Sequence, residues 1–256
     1  MNIVFIGAGR LATNLARVLH EKGHCIVAVY SRTIDAARSL CAVVGGYATT
    51  DLNALPLEAD AFVLAVKDSV LGELIAGLDA GRENQAFFHT AGSVPMSVFG
   101  GHRRCGVIYP MQTFSKERQV DFDRIPFFIE GNSQETQDLA RQIALTVSSD
   151  VRYLSSEDRR HLHLAAVFAC NFTNHCYALS AKILEKHGVP FSVMLPLVEE
   201  TARKVETMHP RDAQTGPAVR YDENIIEMQK RLLADEPTMH DVYELMSESI
   251  NQLAND

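Results

Sequence analysis

Asn2-Ile3-Val4-Phe5-Ile6-Gly7-Ala8-Gly9-Arg10-Leu11-Ala12 opens the chain with an apolar, partly β-branched run that stops abruptly in Gly-x-Gly-x-x-Ala. A short apolar run without alternation fits a strand covered on both faces. The glycines then mark a tight strand-to-helix turn. Gly7 permits the turn, Gly9 lets a pyrophosphate approach the backbone, and Ala12 keeps the helix close to the sheet. Arg10 and Leu11 lie in the first helical turn, whose free N–H groups attract an anion. The alternative is a glycine turn in an α/β domain that binds no cofactor. The position of the motif, after a strand and opening a helix, favours a dinucleotide site.

Outward from this stretch the first part of the chain alternates the two periods. The spacing predicts strands at 2–6, 25–30, 61–66, 86–89 and 107–110, with two later ones at 127–129 and 151–154. Helices are expected at 10–22, 34–44, 69–76 and 135–146. Alternating strands and helices imply a parallel sheet with right-handed crossovers. After residue 154 only helical patterns remain. Ser155 caps a helix whose first turn carries Glu157 and Asp158, as the helix dipole favours. No glycine or proline follows before Gly188, which predicts one helix over roughly thirty residues, about 45 Å long. Further helices are expected at 191–207, 222–234 and 239–253. The fold class is α/β, a mainly parallel sheet over 1–154 followed by an all-α domain over 155–256.

The 256 residues are 46% hydrophobic and 22% charged, a globular composition that excludes disordered, collagenous and disulfide-scaffold classes. A net charge of −8 gives no basic footprint for nucleic acid. No apolar run is long enough to span a bilayer. The apolar start lacks a basic leader, so no signal peptide is read there. Five cysteines without a CxxC pair read as reduced, mostly buried thiols of a cytoplasmic protein, with no zinc and no other metal site.

The end of the second strand separates NAD from NADP. An acid there would bind the ribose hydroxyls, but the residues are Tyr30-Ser31-Arg32-Thr33. Arg32 is suited to a 2′-phosphate, with Ser31 and Thr33 adding hydroxyl bonds, so NADP is expected ahead of NAD. Arg32 as a solvated charge at a helix start is the rival. Val66 and Lys67 close the next strand at the cofactor edge, with Lys67 exposed or near a phosphate.

Polar groups for a substrate cluster at two further strand ends, His89-Thr90-Ala91-Gly92-Ser93 and Tyr109-Pro110-Met111-Gln112-Thr113-Phe114. His89 and Tyr109 are candidates to relay a proton, and Ser93 and Gln112 to bind substrate. Equally, His89 caps a loop. The long helix carries His161, His163, Asn171, Asn174 and His175. Asn171 neighbours Asn174 and His175 at helical spacing. These side chains meet a substrate, a neighbouring helix or a dimer mate. Thr215-Gly216-Pro217-Ala218-Val219-Arg220 breaks the helical part, and Thr215 and Arg220 are candidates to close over a substrate anion.

In this order, the motifs Gly7–Ala12, Tyr30–Thr33, His89–Ser93, Tyr109–Phe114, the helix through His161 and Asn174, and Thr215–Arg220 resemble the NADP oxidoreductases. That family pairs an N-terminal Rossmann-like domain with a C-terminal helical domain of unknown function. More distantly the chain is similar to pyrroline-5-carboxylate reductase and the 6-phosphogluconate/3-hydroxyacid dehydrogenases. The resemblance implies a bound dinucleotide, a small-molecule substrate and a homodimer through the helical domain. Two departures stand out. The dehydrogenases carry Lys-x-x-Asn where this chain has Asn171-x-x-Asn174, and an amide does not donate a proton as a lysine does. Tyr109 stands where the narrower family usually has histidine, and a phenol with an ordinary pKa near 10 is a different acid. The sequence reading is an NADP-dependent oxidoreductase that moves hydride between nicotinamide and a small carbonyl, imine or alcohol, with Asn171 orienting the substrate. A non-catalytic dinucleotide-binding sensor is the rival class.

Overall fold

Eight strands form one sheet in the order β3-β2-β1-β4-β5-β6-β7-β8: β1 Asn2–Ile6, β2 Cys25–Tyr30, β3 Tyr47–Thr49, β4 Ala61–Leu64, β5 Ala86–His89, β6 Arg104–Pro110, β7 Phe127–Gly131 and β8 Val151–Tyr153. The computed structural model describes residues 1–115, 118 and 120–255. All strand pairs are parallel except β6 with β7. The expected Rossmann-like, mainly parallel sheet is thus observed, with its last two strands, β7 and β8, running against the other six. The strand order reverses at β1, which pairs β2 on one side and β4 on the other. The crevice beyond the carboxyl ends of strands at such a point is where open α/β sheets bind ligands.

Strand β1 explains its own apolar run. Ile3 and Phe5 point into one buried layer, Val4 and Ile6 into the other, and all four are fully buried. One layer is roofed by helices α1 Arg10–Glu21, α2 Ile34–Val44 and α4 Gln134–Leu145, the other by α3 Leu71–Asp79. In α1 the buried residues Ala12, Leu15, Ala16 and Leu19 recur at helical spacing. The fully buried Asn14 on that helix is satisfied by the Arg10 and Ser115 carbonyls at 2.9 and 2.8 Å.

The chain divides into two compact units, Met1–Cys170 and Asn171–Asp256. Helix α5, Ser156–Ala166, therefore packs with the sheet, although its sequence reads as the start of the helical part. Ser155 caps it as expected, accepting the Asp158 N–H at 3.1 Å. The single long α-helix is not what forms. Val167–Phe172 is a π-helical segment, and α6 Thr173–Glu185 follows it. A π turn leaves no glycine or proline signature, so hydrophobic spacing does not announce it.

The second unit is helical: α6, then α7 Leu195–Thr207, the short α8 Pro210–Ala213, α9 Glu223–Leu232 and α10 Pro237–Asn255. Lys182 and Lys186 on α6 both reach Glu236, at 2.6 and 2.7 Å. Tyr243 on α10 donates to Gln229 on α9 at 2.6 Å. Among the described residues no helix is long and apolar enough to cross a membrane. The five cysteines are unpaired, but only Cys105 is buried, so they are not the mostly buried set expected from the sequence. Cys25, for one, is exposed at the start of β2, where the strand has just left the surface turn at Gly23.

Candidate dinucleotide and active-site cleft

Gly7 leaves β1 with φ +117° and donates its N–H to the Tyr30 carbonyl at 2.8 Å. A Cβ at Gly7 would lie 2.2 Å from the Ala65 carbonyl oxygen, so the glycine is required by the protein itself. Gly9 is different. Its φ is −77°, any residue can adopt that backbone, and a Cβ there would meet nothing within 4 Å. Internal packing gives no reason for this glycine, whereas close approach of a ligand does. The first intrahelical bond of α1 runs from Thr13 N–H to Gly9 at 2.9 Å. The N–H groups of Arg10, Leu11 and Ala12 precede it and remain free for an anion.

A cleft of about 820 Å³ spreads from this turn along the carboxyl edge of the sheet. Gly7, Gly9, Arg10, Leu11, Ser31, Arg32, Thr33, Val66 and Lys67 all line it. Ala12 does not. It is fully buried beneath α1, where its small side chain seats the helix on the sheet. Arg10, Arg32 and Lys67 are exposed, and among the described residues none has a hydrogen-bond or ion-pair partner for its side chain. Thr33 caps α2 by position only; its hydroxyl makes no capping bond and is available. Arg32 after β2 and Tyr109 on β6 stand four strand spacings apart, about 19 Å at the usual interstrand distance. These features fit an extended dinucleotide bearing a 2′-phosphate.

Tyr109 and Gln112 line the cleft as the sequence suggested, and so does His163. The Tyr109 hydroxyl is 3.1 Å from His163 Nδ1. Burial pushes the Tyr109 phenol up from its ordinary value, with Asp68 adding to the rise and Arg159 opposing it. Gly92 covers the pair: a Cβ there would lie 2.5 Å from His163 Nδ1 and 2.9 Å from Tyr109 Cζ.

His163 is held from below. Arg159, one helical turn earlier, is fully buried and donates to Glu130 Oε2 on β7 and to the Val94 carbonyl, both at 2.6 Å. Ser156 donates to the same Glu130 oxygen at 2.7 Å and accepts the Met96 N–H at 2.8 Å. The start of α5 is thereby tied both to the sheet and to the loop after β5. The sequence analysis left His163 unassigned. Its signals were the Arg159/His163 spacing of four, which puts both on one helix face, and a glycine at 92 with no turn to explain it.

Other expected residues are placed elsewhere. His89 is fully buried at the end of β5, stacked on Phe99, and does not line the cleft. Its Nδ1 accepts the Ala91 N–H at 3.2 Å. Burial, reinforced by the charge of Arg159, lowers it to about 3. A proton relay is not what this setting suits; the loop-capping alternative is what the geometry matches. Ser93 is exposed off the cleft wall and bonded to the Asp68 carboxylate. Asn171, Asn174, Thr215 and Arg220 belong to the second unit, where all four are exposed. Asn171 falls within the π-helical segment. Gly216 has φ +108°, the turn that the Gly-Pro pair announced.

Residues 2–87 match the family model described as NADP oxidoreductase, coenzyme F420-dependent, and residues 125–250 match a domain of unknown function, DUF2520. The chain is 54% identical to a crystallised putative NADP oxidoreductase from Bacteroides fragilis, covering 98% of both chains with a TM-score of 0.93. A Thermotoga maritima protein is 25% identical over 99% of this chain and 100% of its own, with a TM-score of 0.82. An imine reductase from Myxococcus stipitatus in complex with NADP+ shares the fold at 15% identity, over 100% of this chain and 94% of that one, TM-score 0.69. No curated protein sequence matches the chain.

Proposed function

The chain belongs to the NADP oxidoreductase family, and on that premise we propose that it transfers hydride between NADP(H) and a small carbonyl, imine or alcohol. The observation that carries this reading is Gly9, whose missing side chain leaves space over the start of α1 that nothing in the protein fills. The N–H groups of α1 hold the pyrophosphate there. Arg32 takes the 2′-phosphate with its forked donors, helped by the Ser31 and Thr33 hydroxyls. Lys67 offsets remaining phosphate charge from the β4 side.

When bound, NADPH supplies the hydride, and the protein positions it and handles charge and protons. A dinucleotide held by Arg32 at one end would bring its nicotinamide towards β5 and β6. Gln112 there offers an amide able to donate to a carbonyl oxygen or accept from an alcohol. Asn171, Asn174, Thr215 and Arg220, all exposed on the second unit, and Ser93 on its exposed loop are further proposed substrate contacts. The helical unit also forms a homodimer on this reading.

Calorimetric titration of wild type and Arg32→Ala with NADPH and NADH tests the cofactor assignment. One charge-assisted contact is worth roughly 1.5–3 kcal/mol, so NADPH affinity should fall about 10–150-fold while NADH changes little. Equal losses for the two cofactors reject Arg32 as the selector.

A further inference from the structure

We propose that Tyr109 and His163 are the proton-handling pair of this site: Tyr109 gives its proton to the substrate heteroatom and His163 restores it. The proposal rests on the reading of the cleft as an NADP(H) hydride-transfer site. It assigns the acid that a lysine supplies elsewhere and that the amide pair Asn171 and Asn174 lacks.

Four observations converge. Both side chains line the cleft, at the sheet end opposite Arg32. They are joined at 3.1 Å through Oη and Nδ1. Gly92 leaves the pair room that any side chain would take. The buried Arg159–Glu130 contact already anchors α5, so a tyrosine–histidine bond is not needed to hold that helix down. The charged and titratable groups that act on Tyr109 are His163, bonded to it, Arg159 on the same helix and Asp68 after β4. Tyr109 is almost wholly buried whereas His163 is half-buried, which suits one to the substrate and the other to exchange with solvent.

In the reducing direction the substrate carbon gains the hydride that NADPH gives up in becoming NADP+. The π pair of the C=O or C=N bond moves to the heteroatom. The Tyr109 Oη–H bond breaks as that atom takes the proton, and the Nδ1 proton of protonated His163 passes to Oη. That leaves neutral His163 with its proton on Nε2, and its Nδ1 then recovers a proton from water. A phenol held above its ordinary pKa keeps its proton at rest and yields it only to a strong base such as a forming alkoxide.

Two measurements on the full chain test this. In spectra of protein labelled with ¹³Cζ-tyrosine, the signal lost in Tyr109→Phe should titrate at least half a pH unit lower with NADP+ bound than without it. The positive nicotinamide ring stabilises a nearby phenolate. Removing the partner in His163→Gln should shift the same titration. With cyclohexanone, pyruvate and 1-pyrroline as probes, Tyr109→Phe should lower kcat at least 100-fold on any that is reduced. KM and NADPH affinity should stay within about threefold, and His163→Gln should lower kcat about tenfold. A Tyr109 titration indifferent to NADP+, or a Tyr109→Phe variant keeping more than a tenth of kcat, overturns the pair. If none of the probes is reduced, the titration decides alone. Failure of the wild type to bind NADPH in calorimetry sinks the cofactor reading instead, and the pair with it. Retained NADPH binding with an indifferent Tyr109 sinks only the pair.

Discussion

Replacing Gly7 and Gly9 by alanine, one at a time, should separate folding from binding across two residues. At Gly7 the new methyl would sit 2.2 Å from the Ala65 carbonyl oxygen, on a backbone at φ +117°. The oxygen belongs to the backbone and has little room to yield. Strained backbone costs about 1–3 kcal/mol and an overpacked contact about the same again, so Gly7→Ala should lose about 2–6 kcal/mol. At 2–4 °C per kcal/mol for a protein of this size, Tm should fall by roughly 4–24 °C. At Gly9 the methyl meets nothing and the φ of −77° is ordinary. Alanine is a poorer helix cap than glycine by some tenths of a kcal/mol, but it lowers the entropy of the unfolded chain by about as much. The net change should stay within about 1 kcal/mol. The same methyl enters the space assigned to the pyrophosphate and should weaken NADPH at least tenfold, about 1.4 kcal/mol. Differential scanning calorimetry gives the first quantity and isothermal titration the second. The reasoning fails if Gly9→Ala melts as low as Gly7→Ala, or if it binds NADPH like wild type.

His89 should make stability depend on mild acid. Its folded value of about 3 lies below the ordinary 6.5. The unfolded chain therefore binds the extra proton between those values, so the contribution is complete above pH 6.5 and declines as pH falls toward 3. From pH 7 to pH 5 this amounts to about 2 kcal/mol. Urea unfolding of wild type and His89→Asn at both pH values should show that loss only in wild type, and equal slopes would contradict it. Assembly is a further expectation. Leu197, Leu232 and Leu245 are exposed by more than half, at 63%, 78% and 67%, and apolar area of that kind normally marks an interface. Light scattering at micromolar concentration should give twice the chain mass, and a monomer mass would defeat the homodimer.

The strands that position the cofactor were legible because each is covered on both faces and writes an uninterrupted apolar run. Tyr47–Thr49 was not, since three residues after Gly45-Gly46 carry no period at all. The reversal of β7, and of β8 beside it, also left no trace: a buried strand has the same apolar run in either direction, and only the pairing of β7 with β6 shows the sense. At the site, local chemistry was readable and long-range chemistry was not. Gly7, Gly9 and Arg32 declare themselves because turn geometry and charge act at their own positions. His163 does not, because its meaning depends on Tyr109, 54 positions away, and on a buried arginine whose partner Glu130 lies 29 positions off. His89 misled for the same reason. A histidine at the carboxyl end of a strand looks catalytic until the neighbours that bury it are known.

The two outermost strands, β3 and β8, are three residues each. A sheet of eight strands would otherwise offer two long rows of unpaired N–H and C=O groups, templates for another chain to extend. Here each row is too short to hold a guest strand. On β8 it is further guarded by Arg152, which reaches back 2.7 Å to Asp150 and sets a charged pair on the rim. The folded molecule therefore offers little sheet edge for another chain to extend.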